Sequence, residues 1–189
     1  MAVYTEVSPA ALAAFLAGYE LGAAVGLEGI TEGVENSNFR LSTEQGRYIL
    51  MIYEKRVEAA DLPFFLGLME HLAKAGVHCP LPVKTKDGQS LVSLNRRNAA
   101  IVTFLTGIAL RRPDEAHCAA GGAALAGLHK AGEGFALRRA NALGPAGWRP
   151  LAESIHGADT IEDGLDALIN GSLADITATW PKDLPSGVI

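Results

Sequence analysis

Up to about residue 106 the apolar positions mark several strands and two helices, and beyond it they mark helices only. Ser8-Pro9 ahead of AALAAFLAGYE predicts a helix start, with Ser8 as N-cap and Pro9 in the first turn, where its missing N–H is not needed. Residues 23–30 are apolar with glycines and predict a strand. Residues 38–42 alternate with period two, Glu44-Gln45-Gly46-Arg47 reads as a turn, and 48–53 (YILMIY) is a continuous β-rich run. Together they predict an antiparallel meander.

From Asp61 to Ala75 apolar residues recur at 62, 65, 66, 69, 72 and 73, the spacing of one helix face. Asp61 is the expected N-cap, Pro63 sits in the first turn and Gly76 ends the helix. Asp87-Gly88, a pair favoured in two-residue turns, predicts a hairpin joining 81–85 to 90–94. Residues 99–105 (AAIVTFL) read as a buried central strand. The order β-β-β-α-β-β predicts an α+β fold: a five-stranded antiparallel sheet with one helix inserted after the third strand. Thr106-Gly107 breaks the pattern, and helices are expected at 113–130, 145–156 and 161–180. The expected domains are residues 1–105 and 106–189.

Composition narrows the partners. The chain has 189 residues, 49% of them hydrophobic, so it can bury a core, and its net charge of -5 contains no block of like sign. A nucleic-acid backbone is therefore not the expected partner. Two cysteines outside any CxxC, a start without a basic-then-apolar leader, and an apolar run (119–128) too short to span a bilayer set the expectation of a soluble, cytoplasmic protein without a membrane partner.

Residues 31–39, TEGVENSNF, are longer and more polar than a two-residue hairpin link requires. Such a loop can be a solvated hairpin tip. It can also be a flap whose backbone N–H groups cradle phosphate oxygens, with Gly33 allowing close approach and Asn36, Ser37 and Asn38 as polar donors. It is not a GxxxxGK[ST] loop, and no helix follows it.

EGVENSNF, YEKRVEAADLPFFLGLMEHLAKAGVHCPLP, NAL-x3-GW at 141–148 and the closing WPKDLPSGVI resemble the bacterial type II homoserine kinases. These belong to the aminoglycoside-phosphotransferase/choline-kinase superfamily, whose fold is protein-kinase-like. The resemblance covers nearly the whole chain and is thinnest from 151 to 179. It implies ATP-dependent phosphorylation of the hydroxyl of L-homoserine, on the way to threonine, with ATP and Mg²⁺ as cofactors. It also implies a nucleotide site formed by the flap, Gly33, Val34, Glu35, Asn36, Ser37 and Asn38, and by a hinge strand containing Thr103, Phe104 and Leu105. The backbone of that hinge would bond the adenine edge. His129, in the Leu128-His129 pair, is expected to be a satisfied interior histidine.

Two departures from the family pattern stand out. Many members carry a phosphate-pairing lysine in the third strand and a glutamate on the next helix; here Met51 and Phe65 fall at those places. Either Lys55 or Arg56 supplies the charge, or metal and flap do instead, and Lys55 is the expected cation. The catalytic loop of pattern H-x-D-x4-N, with the metal ligands, is expected only after Ile189. No catalytic or metal-binding residue is therefore assigned within these residues, and the chain alone is expected to be inactive.

Two other readings compete. One is a kinase for a different small hydroxylated metabolite, of the choline, aminoglycoside or methylthioribose type. The other is a non-catalytic nucleotide-binding module.

Overall fold

The computed structural model describes residues 4–32, 35–54, 58–141, 143–183 and 187–188. The chain divides into two compact units, Met1–Leu137 with Gly187–Ile189, and Arg138–Ser186. Among the described residues no helix is long and apolar enough to cross a membrane.

In the first unit, Ser8 caps α1 (Pro9–Leu16) by accepting from the Ala11 N–H at 3.2 Å. The helix packs Leu12, Phe15 and Leu16 onto a sheet of six strands: β1 (Ala24–Gly29), β2 (Asn36–Thr43), β3 (Gly46–Tyr53), β4 (Pro82–Val83), β5 (Val92–Leu94) and β6 (Arg97–Thr103). The sheet is antiparallel in the order β1-β2-β3-β6-β4, with β5 pairing to β6 off that path. The sheet thus has six strands, not the expected five, because each of the six segments read as strands, 90–94 included, contributes one.

The expected hairpin at Asp87-Gly88 is corrected. A tight turn forms there, with Gly88 N–H donating to Thr85 O at 2.8 Å, but β4 and β5 do not pair with each other; both pair with β6. The two-residue hairpin lies instead between β5 and β6 at Asn95-Arg96, both at positive φ (50° and 62°). Primed turns demand that conformation because it matches strand twist. Asn tolerates it; Arg is the less readable half of the signal. β6 also ends at Thr103, leaving Phe104 and Leu105 beyond the ladder.

The helix α2 (Leu62–Lys74) follows β3 across a short 3₁₀ turn, Ala59–Asp61. That turn winds Asp61 into helical backbone, so its side chain makes no cap bond, contrary to expectation. α2 lays Leu62 and Leu66 on Tyr53 and Ala100, forming a second cluster on the sheet face opposite α1. Each fully buried side chain, such as Leu41, Leu50, Ile52, Leu62 or Ile101, contributes on the order of 1.5–3 kcal/mol. α3 (Glu115–Ala131) starts at Asp114, whose side chain accepts from the His117 N–H at 2.9 Å, and buries no residue. His71 of α2 donates its Nε2–H to Ala131 O at 2.8 Å, tying α2 to the end of α3.

The second unit holds α4 (Pro145–Glu153) and α5 (Leu165–Thr179). Trp148 and Trp180 meet edge to face with centroids 4.8 Å apart. α5 begins four residues later than the apolar pattern suggests, because Gly164 takes φ +80° at its N-cap.

Candidate nucleotide-binding face

Cross-strand partners in an antiparallel sheet share a face. The register therefore sorts the expected site residues. Asn36 lies opposite Tyr53, Asn38 opposite Met51, which is opposite Ala100, and Arg40 opposite Ile49, which is opposite Val102. These residues form one face. Ser37, Phe39 and Leu41, with Leu50 and Ile52, point to the other, which α1 covers.

On the first face α2 covers the end around Met51, Tyr53 and Ala100. Toward β1 it is polar: Arg40 Nη1 meets Glu28 Oε2 at 2.7 Å in an exposed pair. The side-chain oxygens of Asn36 and Asn38 are buried with no hydrogen-bond partner among the described residues. Two unsatisfied acceptor oxygens on one strand face beside a polar loop call for a hydrogen-bond donor.

Glu35 is exposed at the edge of the loop. Gly33, Val34 and Lys55 lie outside the described residues. Ser37 departs from the expected flap donor: it is fully buried. Its Oγ accepts from the backbone N–H groups of Tyr4 (2.8 Å) and Thr5 (3.0 Å) and donates to Glu54 Oε1 at 2.7 Å. Alternation explains this. A strand that turns Asn36 and Asn38 to one face must turn Ser37 to the other, where a buried hydroxyl needs partners.

At the end of β6, Thr103 is committed to Leu81: its N–H donates to Leu81 O and its Oγ1 accepts from Leu81 N–H, both at 2.9 Å. The hinge positions past the ladder are Phe104 and Leu105, both half-buried. The Arg47 guanidinium stands 4.7 Å from the centre of the Phe104 ring.

The sequence reading missed Glu54. Its carboxylate takes Thr5 Oγ1 at 2.6 Å as well as Ser37, and pairs with Arg97 Nε at 3.2 Å. The available signal was an acid directly after the apolar run YILMIY, since a carboxylate at such a place must be paired. Among the described residues no group of three or more His, Cys, Asp or Glu side chains could hold a metal ion.

An antiparallel sheet with one helix inserted after its third strand, followed by helices, is a protein-kinase-like fold. The sequence profile of the Phosphotransferase enzyme family matches residues 26–189, and the chain belongs to that family. Homoserine kinases of Methylorubrum populi and Xanthobacter autotrophicus are 56% and 55% identical over 190 residues, covering 100% of this chain and 59% of each relative. The homoserine kinase of Sinorhizobium fredii is 54% identical over 190 residues, with 58% of its length covered. The chain thus spans less than two thirds of the curated relatives it matches. Among solved structures, a spectinomycin phosphotransferase in complex with ADP and spectinomycin shares the fold at TM-score 0.67 and 11% identity, over 94% of this chain and 60% of that one. An aminoglycoside phosphotransferase from Alicyclobacillus acidocaldarius gives TM-score 0.55 at 14% identity, over 95% of this chain and 55% of that one.

Proposed function

We propose that this chain is the nucleotide-binding part of an ATP-dependent homoserine kinase, which transfers a phosphoryl group to the hydroxyl of L-homoserine. The observation that carries the reading is the 54–56% identity to homoserine kinases along the whole chain. In this reading residues 1–105 are the nucleotide lobe and residue 106 onward begins the helical lobe.

In this reading each site residue has a role. The 33–38 loop covers the phosphates, donating from its backbone and from Asn36 and Asn38, while Ser37 secures the strand behind them. Phe104 and Leu105 present main-chain groups to the adenine edge, because the Thr103 N–H is already given to Leu81 O. Ile49 and Val102 line the apolar floor on the same face. Lys55 supplies the positive charge that Met51 cannot. Phosphoryl transfer depends mostly on positioning and charge neutralisation, so these roles amount to holding ATP in line for attack. Mg²⁺ is the proposed companion ion; the described residues offer no cluster for it, and no step is derived through it. A cytoplasmic enzyme fits this role.

The complete gene product should be assayed with ATP against homoserine, choline, an aminoglycoside and methylthioribose. Selective phosphorylation of homoserine supports the reading, and preference for another acceptor replaces it. Residues 1–189 alone should bind adenine nucleotide without turnover.

A further inference from the structure

We propose that residues 4–6 are a strap that fixes the flap strand, and that Thr5, Ser37 and Glu54 are positioning residues for the nucleotide. The proposal rests on the nucleotide reading above.

The Ser37 hydroxyl has one proton and two lone pairs, and all three are used: it donates to Glu54 and accepts from the Tyr4 and Thr5 N–H groups. It has nothing left for a ligand. Glu54 gives Oε1 to both Ser37 and Thr5 and Oε2 to Arg97, with its side chain only 10% exposed. The carboxylate therefore joins four segments: the strap, β2, the end of β3 and the start of β6. The strap is fastened again one residue on, where Asn95 Nδ2, from the turn between β5 and β6, donates to Glu6 O at 2.8 Å.

The location gives these bonds their consequence. Asn36 is the first residue of β2 after the loop and pairs with Tyr53 at the end of the neighbouring strand β3, and Ser37 and Glu54 are their immediate neighbours. The cluster therefore clamps β2, the strand that leaves the flap, to β3 at the flap's base. Pinning Ser37 on the inner face also holds Asn36 and Asn38 on the outer one, because a slip of one residue would exchange the faces. A loop that must bring N–H groups to within about 3 Å of phosphate oxygens depends on such a base, since small misplacements are costly. The strap sets that geometry without touching the nucleotide.

The test uses residues 1–189 carrying Thr5→Val, which removes one hydroxyl and nearly keeps the shape. Amide hydrogen exchange and titration with ADP are the readouts. Exchange at Asn36 to Phe39 should quicken about tenfold and ADP affinity should fall about tenfold, a change of about 1.4 kcal/mol, while Leu66 and Ile101 exchange as in the parent. Thr5→Ser should restore both values, and Arg97→Met, at a partly exposed residue, should shift both in the direction of Thr5→Val. If the parent binds ADP and Thr5→Val leaves exchange and affinity unchanged, or quickens exchange uniformly across the sheet, the strap is refuted. If the parent binds no ADP, the nucleotide reading falls, and exchange at 36–39 alone decides whether the strap holds the strand.

Discussion

Met51 of β3 and Phe65 of α2 pack against one buried cluster, Tyr53, Leu62, Leu66 and Ala100. In many family members these two places hold a lysine and a glutamate that pair. Here both charges are replaced together, and the strand-to-helix contact is apolar. The joint replacement is physically coherent: removing one charge from a buried pair strands the other, whereas replacing both with well-packed apolar groups can be neutral or stabilising.

It follows that Met51→Lys should destabilise the chain by about 1–3 kcal/mol, since it would set an unmatched ammonium against this cluster. The double change Met51→Lys with Phe65→Glu should recover part of the loss. Urea unfolding of the three variants decides it, and a Met51→Lys protein as stable as the parent would contradict the packing argument.

With Met51 at the place of the strand lysine, Lys55 is the cation we propose for the phosphates. In the complete enzyme Lys55→Ala should lower kcat/KM about ten- to a hundredfold, or roughly 1.4–2.7 kcal/mol of transition-state stabilisation. Steady-state kinetics at varied ATP check this. Near-parental values would remove Lys55 from the site.

Gly22 should tolerate no side chain. Its φ is +73°, and a Cβ there would lie 2.6 Å from Glu44 Oε2 and 2.9 Å from Glu44 Cβ. Glu44 in turn accepts from the Ala23 N–H at 2.9 Å, tying the entry of β1 to the turn between β2 and β3. Gly22→Ala should cost more than about 1 kcal/mol, the usual penalty for an unsuitable backbone conformation alone. Gly76→Ala, at φ +88° with open space around it, should show only that smaller penalty. Thermal unfolding of the two variants separates strain from collision.

Much of this fold was legible because its signals are local. The N-cap at Ser8, the meander and the helix after Asp61 follow from period and capping within a few residues of sequence. The Asp87-Gly88 hairpin failed because a turn signal reports the turn and not which strands pair beyond it. β6 outcompetes that local pairing by offering both of its sides, to β3 on one and to β4 and β5 on the other. Within the site, composition pointed to the polar loop, but only the register showed that Asn36 and Asn38 face away from Ser37. Glu54, Thr5 and Arg97 lie 49 and 43 positions apart across the hub, so no sequence window contains their junction.

Tyr19 offers a pH test. Its ring is buried against Phe15, its hydroxyl has no partner among the described residues, and burial pushes its pKa from 10.0 up to about 12. The folded state thus keeps the phenol neutral where the unfolded chain would ionise it. Stability from this group is complete below pH 10 and is lost as pH rises toward 12. Tyr19→Phe should be neutral or stabilising by about 1 kcal/mol at pH 7, since it removes an unsatisfied buried hydroxyl. It should also unfold less steeply between pH 10 and 12 than the parent. Chemical denaturation across that range checks both; an unchanged alkaline slope would show that Tyr19 is not the group responsible.

The helices after residue 106 expose apolar side chains in both units. In the first, Leu125 of α3 is 53% exposed, and a Cβ at Gly121, Gly122 or Gly127 would meet nothing within 4 Å. In the second, Leu168 of α5 is 65% exposed and neither α4 nor α5 buries a residue. Apolar surface left in water forgoes about 25 cal/mol per Å², and contiguous patches promote association. Residues 1–189 should therefore self-associate as concentration rises, and Leu125→Glu with Leu168→Glu should suppress this. Because both side chains are already exposed, the substitutions should leave the unfolding free energy within about 0.5 kcal/mol of the parent. Light scattering over a concentration series supplies the measurement. A chain that stays monomeric throughout, or a double variant that associates as strongly as the parent, would show that these faces do not drive association.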